Sequence, residues 1–176
     1  MKQQRRSQRS GITSGTIGGN LVKIVRVGKE HVPAIVELWK QLNDYQAGFD
    51  PVHRLKDDAG IGFAQYVRSK LLSEEDLFLV AVIRKKVVGF SMSAVVKGRP
   101  DVYEKAPIIE ISDMLVLEEH RWRGVGTEML NHIRSWAKSK GIRRIELNAE
   151  ARNDIGLAFW KKRGFNDYIH RLYLDF

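Results

Sequence analysis

Residues 108–141 read IIEISDMLVLEEHRWRGVGTEMLNHIRSWAKSKG and carry the strongest structural signals in the chain. Residues 108–117 are rich in apolar and β-branched side chains, which predicts a buried strand. Between 124 and 140 apolar residues recur three and four positions apart, so an amphipathic helix is predicted there, ended by Gly141. Its apolar stripe consists of Val125, Met129, Leu130, Ile133, Trp136 and Ala137.

The loop between this strand and this helix has the chemistry that binds a phosphate group. It reads Arg121-Trp122-Arg123-Gly124-Val125-Gly126. The first N–H groups of a helix lack intrahelical partners and lie at the positive end of the helix dipole, so they suit an anion. Glycines let a ligand approach the backbone, and the arginines add charged donors. A surface turn with incidental arginines explains the bare motif equally well.

Several other kinds of site are excluded by the same residues. A dinucleotide-binding Gly-x-Gly-x-x-Gly would need glycine where Met129 stands, and the Gly-Lys-Ser/Thr of a Walker loop is absent. There is no cysteine, which excludes disulfides, thiolate nucleophiles and cysteine-ligated zinc. No His-Glu-x-x-His motif occurs, and no metal site is predicted.

The rest of the chain supplies further strands and helices around this unit. Strands are predicted at 22–27, 77–83, 87–96, 144–148 and 165–176, helices at 32–42, 57–72 and 153–163, and loops at 45–53 and 98–107. The complete order is β-α-α-β-β-β-α-β-α-β. This order predicts an α/β (mixed α+β) fold in which a central mixed sheet has helices on both faces.

Composition and charge fit one globular domain with a basic tail. Of 176 residues 43% are hydrophobic, and the net charge is +9. Residues 1–26 carry six basic residues and no acidic one, which leaves 24 basic against 21 acidic residues in the remainder. Residues 1–20, rich in Gly, Ser, Gln, Thr and Arg, are predicted to be a disordered tail, and 21–176 one domain. A leader for targeting or for nucleic-acid binding is the alternative.

Three elements together resemble the GNAT superfamily of N-acetyltransferases. The first is the strand–Arg-x-x-Gly-x-Gly–helix unit. The second is the strand Ile111-Ser112-Asp113-Met114-Leu115-Val116. The third is Asn153 at a helix start, with an aromatic residue seven positions on and Gly164-Phe165 after it. The resemblance covers about residues 22–176 and implies a mostly antiparallel sheet and acetyl-CoA as acetyl donor.

The resemblance also implies which residues hold the donor. The pyrophosphate would be held by Arg121 and by the backbone N–H groups of the phosphate loop. Those N–H groups belong to Trp122, Arg123, Gly124, Val125, Gly126 and Thr127. The main chain of Met114, Leu115 and Val116 would bind the pantetheine and polarise the acetyl carbonyl. The Asn153 side chain would bind pantetheine, although it also fits a helix N-cap, and both roles can coexist.

An acid–base assignment follows from the same resemblance. Glu110, 11 residues before Arg121, matches the carboxylate that histone-acetylating members use as base, and Asp113 is the second choice. A solvated or salt-bridged strand residue is the alternative for each. The position at which many members carry a tyrosine acid is Trp160, which reads as a packing residue and donor wall; Tyr168 or Tyr173 could replace that acid.

These observations predict an N-acetyltransferase that moves acetyl from acetyl-CoA to a primary amine on a small molecule or a peptide. A domain of the same fold that binds acyl-CoA without turnover is one alternative, and a basic nucleic-acid-associated protein is another. No apolar run approaches the roughly 20 residues of a membrane span, and no secretory signal is evident. A cytoplasmic location is therefore expected, with no membrane or nucleic-acid partner, and a homodimer is left open.

Overall fold

A computed structural model describes residues 13–17, 20–97 and 106–176. Within these ranges the strands are β1 (Thr13–Ile17), β2 (Asn20–Arg26), β3 (Asp76–Ile83), β4 (Lys86–Val96), β5 (Ile108–Val116) and β6 (Ile145–Leu147). The helices are α1 (Val32–Ala47), α2 (Ala59–Lys70), α3 (Val125–Ser139) and α4 (Asp154–Lys161). Short 3-10 turns occupy Lys29–His31, Pro51–His53 and Glu118–His120.

The strands form one sheet in the order β1-β2-β3-β4-β5-β6. Neighbouring strands are antiparallel except β5 and β6, which are parallel. A parallel pair needs a crossover connection, and α3 supplies it. The mixed, mostly antiparallel sheet predicted from the sequence is confirmed.

Helices cover both faces of the sheet, as the sequence predicts. On one face α3 buries its apolar stripe against β2, β3 and β5, and Trp160 and Phe165 pack against this cluster. On the other face α1 and α2 pack against Phe78, Phe90 and Leu115. A stacked pair joins those two helices, because the ring centroids of Trp39 and Phe63 are 4.0 Å apart.

Part of the predicted disordered tail has regular structure. Residues Thr13–Ile17 form β1, which pairs antiparallel with β2 from Thr13↔Ile24 to Ile17↔Asn20. Strand pairing uses main-chain N–H and C=O groups, so a polar and glycine-rich composition does not prevent it. The rest of the tail, residues 1–12, 18 and 19, lies outside the described residues, as do residues 98–105 of the predicted loop.

The strand predicted at 165–176 is wrong, because these residues have no regular secondary structure. Leu172 and Leu174 are 90% and 83% exposed. Aromatic and branched side chains favour an extended backbone, but a strand forms only where it can pair and pack. The nearest edge of the sheet is β6, whose three residues offer little to pair with.

The helices have the lengths of a globular domain. Among the described residues, no helix is both long enough and apolar enough to cross a lipid bilayer.

Candidate functional site

The candidate site lies where the pairing between β5 and β6 ends. β5 pairs with β4 as far as Val116, but it pairs with β6 only from Ile109 to Ile111. Among the described strands, none faces the β6 side of β5 beyond Ile111. Main-chain groups on that edge have no strand partner in the stretch that contains Met114, Leu115 and Val116, although the Val116 oxygen accepts from Arg121. The Leu115 main chain faces β4 instead, because Leu117 N–H bonds to Val88 and alternate residues of a strand face the same neighbour, which corrects the prediction for Leu115.

A β-bulge lies at the point where the strands diverge. Met92 pairs with Asp113 and Ser93 pairs with Ile111, so Ser112 is the extra residue. Without the bulge, residues three apart on a strand would face opposite sides of the sheet. With it, Glu110 and Asp113 both face the side that α1 and α2 cover, and this side also buries Leu115. The bulge thus brings the two predicted carboxylates to one face.

The two carboxylates have different surroundings. Burial raises the pKa of the Asp113 carboxyl above its ordinary value, and a hydrogen bond with Ser112 offsets part of that rise. Tyr66, on α2, lies close enough to Asp113 for the carboxylate to contribute to a raised tyrosine pKa, of which burial is the main cause. Glu110 is half-buried and lies beside Ala94 of β4 and Glu146 of β6.

The phosphate-loop candidate has an unusual backbone. Gly124 has φ +85° and Trp122 has φ +61°. A left-handed conformation is ordinary for glycine but costs a residue such as tryptophan on the order of 1 kcal/mol or more. The Trp122 side chain is 82% exposed, so its own packing does not impose this conformation. Strain of this kind is typical of functional loops.

The start of α3 offers free main-chain donors. Its first helical hydrogen bond runs from Glu128 N–H to the oxygen of Gly124, at 3.0 Å. The N–H groups of Val125, Gly126 and Thr127 precede that bond and have no acceptor within the helix. The N-cap is Gly124, and no side chain caps the helix. These donors and the helix dipole fit an anion.

The two arginines of the loop have different positions. Arg121 donates from Nε to the main-chain oxygen of Val116 at 3.0 Å, so one of its donors holds the loop against the end of β5. Arg123 is exposed beside the start of α3. Sequence reasoning treats both as ligands of a phosphate and does not find the structural role of Arg121.

Gly126 has a packing role that the sequence does not reveal. A Cβ at this position would lie 3.0 Å from Cε2 and 3.1 Å from Cζ of Phe159. The missing side chain thus lets α3 approach α4. The contact with Phe159 is therefore a second reason for glycine at this position, beside the close approach of a ligand inferred from the sequence.

Thr127 is held by Arg163, a residue that sequence reasoning missed. The Arg163 Nε donates to Thr127 Oγ1 at 3.1 Å, its Nη1 donates to the oxygen of Phe159 at 3.0 Å, and its guanidinium lies 3.7 Å from the Phe159 ring centroid. Burial is the main cause of a lowered pKa of Arg163, and the nearby Arg134 adds to it. Arg163 therefore ties the start of α3 to the end of α4.

Asn153 is the N-cap of α4, as the sequence allows. Its Oδ1 accepts from Gly156 N–H at 2.9 Å. The same oxygen lies 3.4 Å from the hydroxyl of Tyr45, near the end of α1. Because Oδ1 is used within the protein, the Nδ2 donors of Asn153 are the groups suited to a ligand carbonyl.

An ion network beside Asn153 joins two loops that are far apart in sequence. Arg152 Nη2 lies 3.1 Å from Asp50 Oδ2, and Arg152 Nε lies 2.9 Å from Glu150 Oε1. His53 Nε2 lies 3.8 Å from Glu150 Oε2. The pKa values of Asp50 and Glu150 are lowered, by the main-chain N–H of Val52 and the Arg152 guanidinium respectively. Sequence spacing gives no signal for this network.

Trp160 packs as predicted. Its ring meets Phe159 and Phe165 edge-on, with centroid distances of 4.8 and 5.2 Å. It also joins the cluster under α3. No group of three or more histidine, aspartate or glutamate side chains in the described ranges could hold a metal ion.

Comparison with known proteins identifies relatives of this arrangement. A model of the acetyltransferase (GNAT) family matches residues 34–165, which is 132 of the 176 residues. An uncharacterized N-acetyltransferase of Methanocaldococcus jannaschii is 28% identical over 151 residues, 84% of this chain. The alignment spans 63% of that relative's length.

Solved structures of the same fold are more distant in sequence. A mutant form of the BH1408 protein of Bacillus halodurans has a TM-score of 0.79 at 20% identity, and the match covers 87% of this chain and 98% of that one. An aminoglycoside N-acetyltransferase, AAC(6')-Iy, solved in complex with CoA, has a TM-score of 0.72 at 20% identity. Here the match covers 89% of this chain and 95% of the other.

Proposed function

The chain belongs to the acetyltransferase (GNAT) family, and from that premise we propose that it transfers the acetyl group of acetyl-CoA to a primary amine. The observation that carries the proposal is the opening between β5 and β6, which lies at the end of the strand leading to the uncapped start of α3. Both features present main-chain donors to one elongated anionic ligand.

The residues at the start of α3 fit the pyrophosphate of the donor. Three free N–H groups, a helix dipole and the exposed Arg123 favour two adjacent negative charges. Val125 contributes only its main chain, because its side chain is buried. The structural role of Arg121 supports the same assignment, since the bond to Val116 holds the loop in place before a ligand arrives.

The open edge of β5 fits the amide-containing arm of the donor. Pantetheine carries amide groups that can pair with main-chain N–H and C=O groups as a strand would. Met114 and the Val116 N–H are proposed to supply that edge, because the Leu115 main chain faces β4 and the Val116 oxygen accepts from Arg121. Asn153 Nδ2 is proposed to bind the same arm from the start of α4. Trp160 is proposed as an apolar wall of the donor channel, which is the gap between β5 and β6 together with the start of α3.

The donor supplies an activated thioester, and the protein must supply a neutral amine beside it. An amine with a pKa of about 10.4 is uncharged in about 1 of 2500 molecules at pH 7, a handicap of roughly 4.6 kcal/mol. Glu110 is proposed to take the amine proton, directly or through water. Asp113 is the second choice, because burial favours its protonated form.

The acceptor is proposed to enter from the side of α1 and α2. Glu110 and Asp113 face this side, and a carboxylate pair attracts a cationic amine. AAC(6')-Iy, which shares the fold, acts on aminoglycosides by name. Small amines and peptide amines are both candidates for this chain. The expected cytoplasmic location and the homodimer stay predictions.

A second candidate function is donor binding without turnover, and Trp160 is the observation that favours it. The indole occupies the position at which the resemblance places a tyrosine that protonates the leaving thiolate. An indole cannot usefully give up a proton. This candidate predicts binding of CoA with no product for any amine.

One experiment separates the two candidates. The protein is incubated with acetyl-CoA and a panel of amines, polyamines, aminoglycosides and peptides, and free thiol is measured; CoA binding is measured by calorimetry. Wild type should release thiol with at least one amine. Glu110→Gln should bind CoA normally and lose about 10²–10⁴-fold in rate.

The matched control is Glu119→Gln, which removes the same charge from an exposed position on the 3-10 turn after β5. It should keep the wild-type rate. Binding without thiol release from any amine would support the second candidate, and absence of CoA binding would overturn both.

A further inference from the structure

Helix α4 lacks the tyrosine that the family resemblance places seven positions after Asn153. Trp160 stands where the resemblance places a proton donor, and its ring is packed between Phe159 and Phe165. A thiolate that leaves during amide formation still ends as a thiol, so it takes a proton from some group. A hydroxyl on another element that reaches the same site can supply that proton.

Tyr45 is that hydroxyl. It lies near the end of α1, on the opposite face of the sheet from α3, and its Oη is 3.4 Å from Oδ1 of Asn153. Asn153 is proposed to bind the pantetheine arm. A group that touches Asn153 therefore lies beside the part of the channel that leads to the sulfur. Sequence gives no hint of this contact, because the two residues are 108 positions apart.

The Tyr45 ring is held from two directions. It meets the ring of Phe49 edge-on, with centroids 5.0 Å apart. The segment that follows is tied to the loop before α4 by the ion pair between Asp50 and Arg152. This bridge fixes the end of α1 against the Asn153 loop, so the contact between Tyr45 and Asn153 does not depend on one weak hydrogen bond.

The Tyr45 proton is available for transfer. Good O–H···O bonds span about 2.5–3.0 Å, so a separation of 3.4 Å marks a weak bond. Asn153 Oδ1 already accepts from Gly156 N–H at 2.9 Å and does not need the tyrosine proton. The hydroxyl can rotate towards a ligand at no loss of a strong partner.

We propose that Tyr45 is the general acid that protonates the departing CoA sulfur. This rests on the proposed function. The amine nitrogen forms a bond to the acetyl carbon, the C–S bond breaks with its electron pair on sulfur, and Tyr45 Oη gives that sulfur its proton. The attacking amine is neutral, because its ammonium proton has already passed to solvent through Glu110, and Glu110 takes a second nitrogen proton as the amide forms. Solvent then reprotonates the phenolate and removes the proton from Glu110, so charge and atoms balance.

The other tyrosines suggested by the sequence have different surroundings. The ring of Tyr168 lies under the guanidinium of Arg144, 4.3 Å from its carbon, at the start of β6. Tyr173 is 71% exposed and lies near Arg152, so Tyr173→Phe is a second variant for comparison. Tyr168→Phe is therefore the control for the competing assignment, because it removes the Tyr168 hydroxyl and keeps the ring on Arg144.

The test compares Tyr45→Phe with that control. Tyr45→Phe keeps the ring contact with Phe49 and should lower kcat about 10²-fold or more, the usual contribution of a positioned acid. The dissociation constant of CoA, from calorimetry, should change less than about twofold. Tyr168→Phe should keep more of the wild-type kcat than Tyr45→Phe does, and a greater loss in Tyr168→Phe would overturn the proposal. The charged groups beside Tyr45, which are Asp50, Glu150, Arg152 and His53, are unchanged in both variants.

A second readout does not need turnover. A hydroxyl that donates to the sulfur stabilises bound thiolate, so the thiol of bound CoA should titrate at higher pH in Tyr45→Phe than in wild type, followed by thiolate ultraviolet absorbance. An equal kcat, an unshifted thiol titration, or a loss of CoA affinity that accounts for the whole effect would overturn the proposal. Wild type that releases no thiol would instead overturn the proposed function.

Discussion

The Nε of Arg121 donates to the main-chain oxygen of Val116 across 3.0 Å. This bond joins the end of β5 to the loop that begins α3. It fixes a positive charge between the end of β5 and the start of α3, and it holds a loop in which Trp122 has a left-handed backbone. The residue therefore stabilises the loop geometry as well as adding charge for an anion.

Arg121→Lys should weaken CoA binding although the charge is kept. A lysine ammonium cannot reproduce the geometry of the Nε bond, and a lost hydrogen bond from a charged group costs about 1.5–3 kcal/mol. A rise of about tenfold or more in the calorimetric dissociation constant is expected. Arg143→Lys, at an exposed position between α3 and β6, is the control and should bind like wild type. Equal affinities for both variants would contradict the structural role.

Asp113→Asn should raise stability at neutral pH. Burial raises the folded-state pKa of Asp113 above 3.8, so the folded state holds its proton more tightly than the unfolded state. The stability that the protonated carboxyl contributes is fully present below the unfolded-state pKa of Asp113. It is lost as the pH rises through the folded-state pKa of Asp113. The Tm of the variant should exceed that of wild type at pH 7, with the difference shrinking below about pH 4. A constant difference across this range would contradict the assignment.

Gly126→Ala should disturb the packing of α3 on α4. Its Cβ would lie 3.0 Å from the Phe159 ring, closer than ordinary contact. Overpacking of this kind costs about 1–3 kcal/mol, measured by denaturant unfolding. Combining it with Phe159→Leu should give a double variant that is more stable than the sum of the single effects predicts. Simple additivity would show that the ring is not the obstacle.

Gly156→Ala should displace the Asn153 side chain. A Cβ at this position would lie 2.6 Å from Asn153 Nδ2. Loss of the N-cap costs about 0.5–2 kcal/mol and outweighs the better helix propensity of alanine. Thermal unfolding should show a lower Tm, and calorimetry a weaker CoA complex.

The control for that variant is Gly62→Ala in α2, where an added Cβ meets nothing within 4 Å. It should be neutral or stabilising by up to about 1 kcal/mol. A Gly156→Ala protein that behaves like this control would show that Asn153 has room to adapt.

Most of the fold could be predicted because its elements have strong local signals. The apolar stripe of α3 from Val125 to Ala137 has the period of a helix, and five of its six members are buried. Continuous apolar runs predict β3 and β4. The prediction of a strand at 165–176 was wrong, because residues such as Tyr173 favour an extended backbone whether or not a sheet edge is available for pairing.

The candidate site was predictable only as far as it is continuous in sequence. The loop from Arg121 to Gly126 and the cap at Asn153 have local motifs. The shared face of Glu110 and Asp113 depends on a bulge that no residue pattern announces. Tyr45, Arg152 and Arg163 reach their partners from other elements, so only the folded chain shows their contacts.

Local sequence patterns were enough to predict the order of the elements from β2 to α4 and the glycine-containing loop at the start of α3. These depend on period, glycine placement and backbone donors, which are properties of short segments. The tertiary structure alone decided how far β6 follows β5, which side each carboxylate faces, and which hydroxyl meets Asn153. Those relationships join residues distant in the chain, and their energies exist only once the sheet, the bulge and the packed helices are in place.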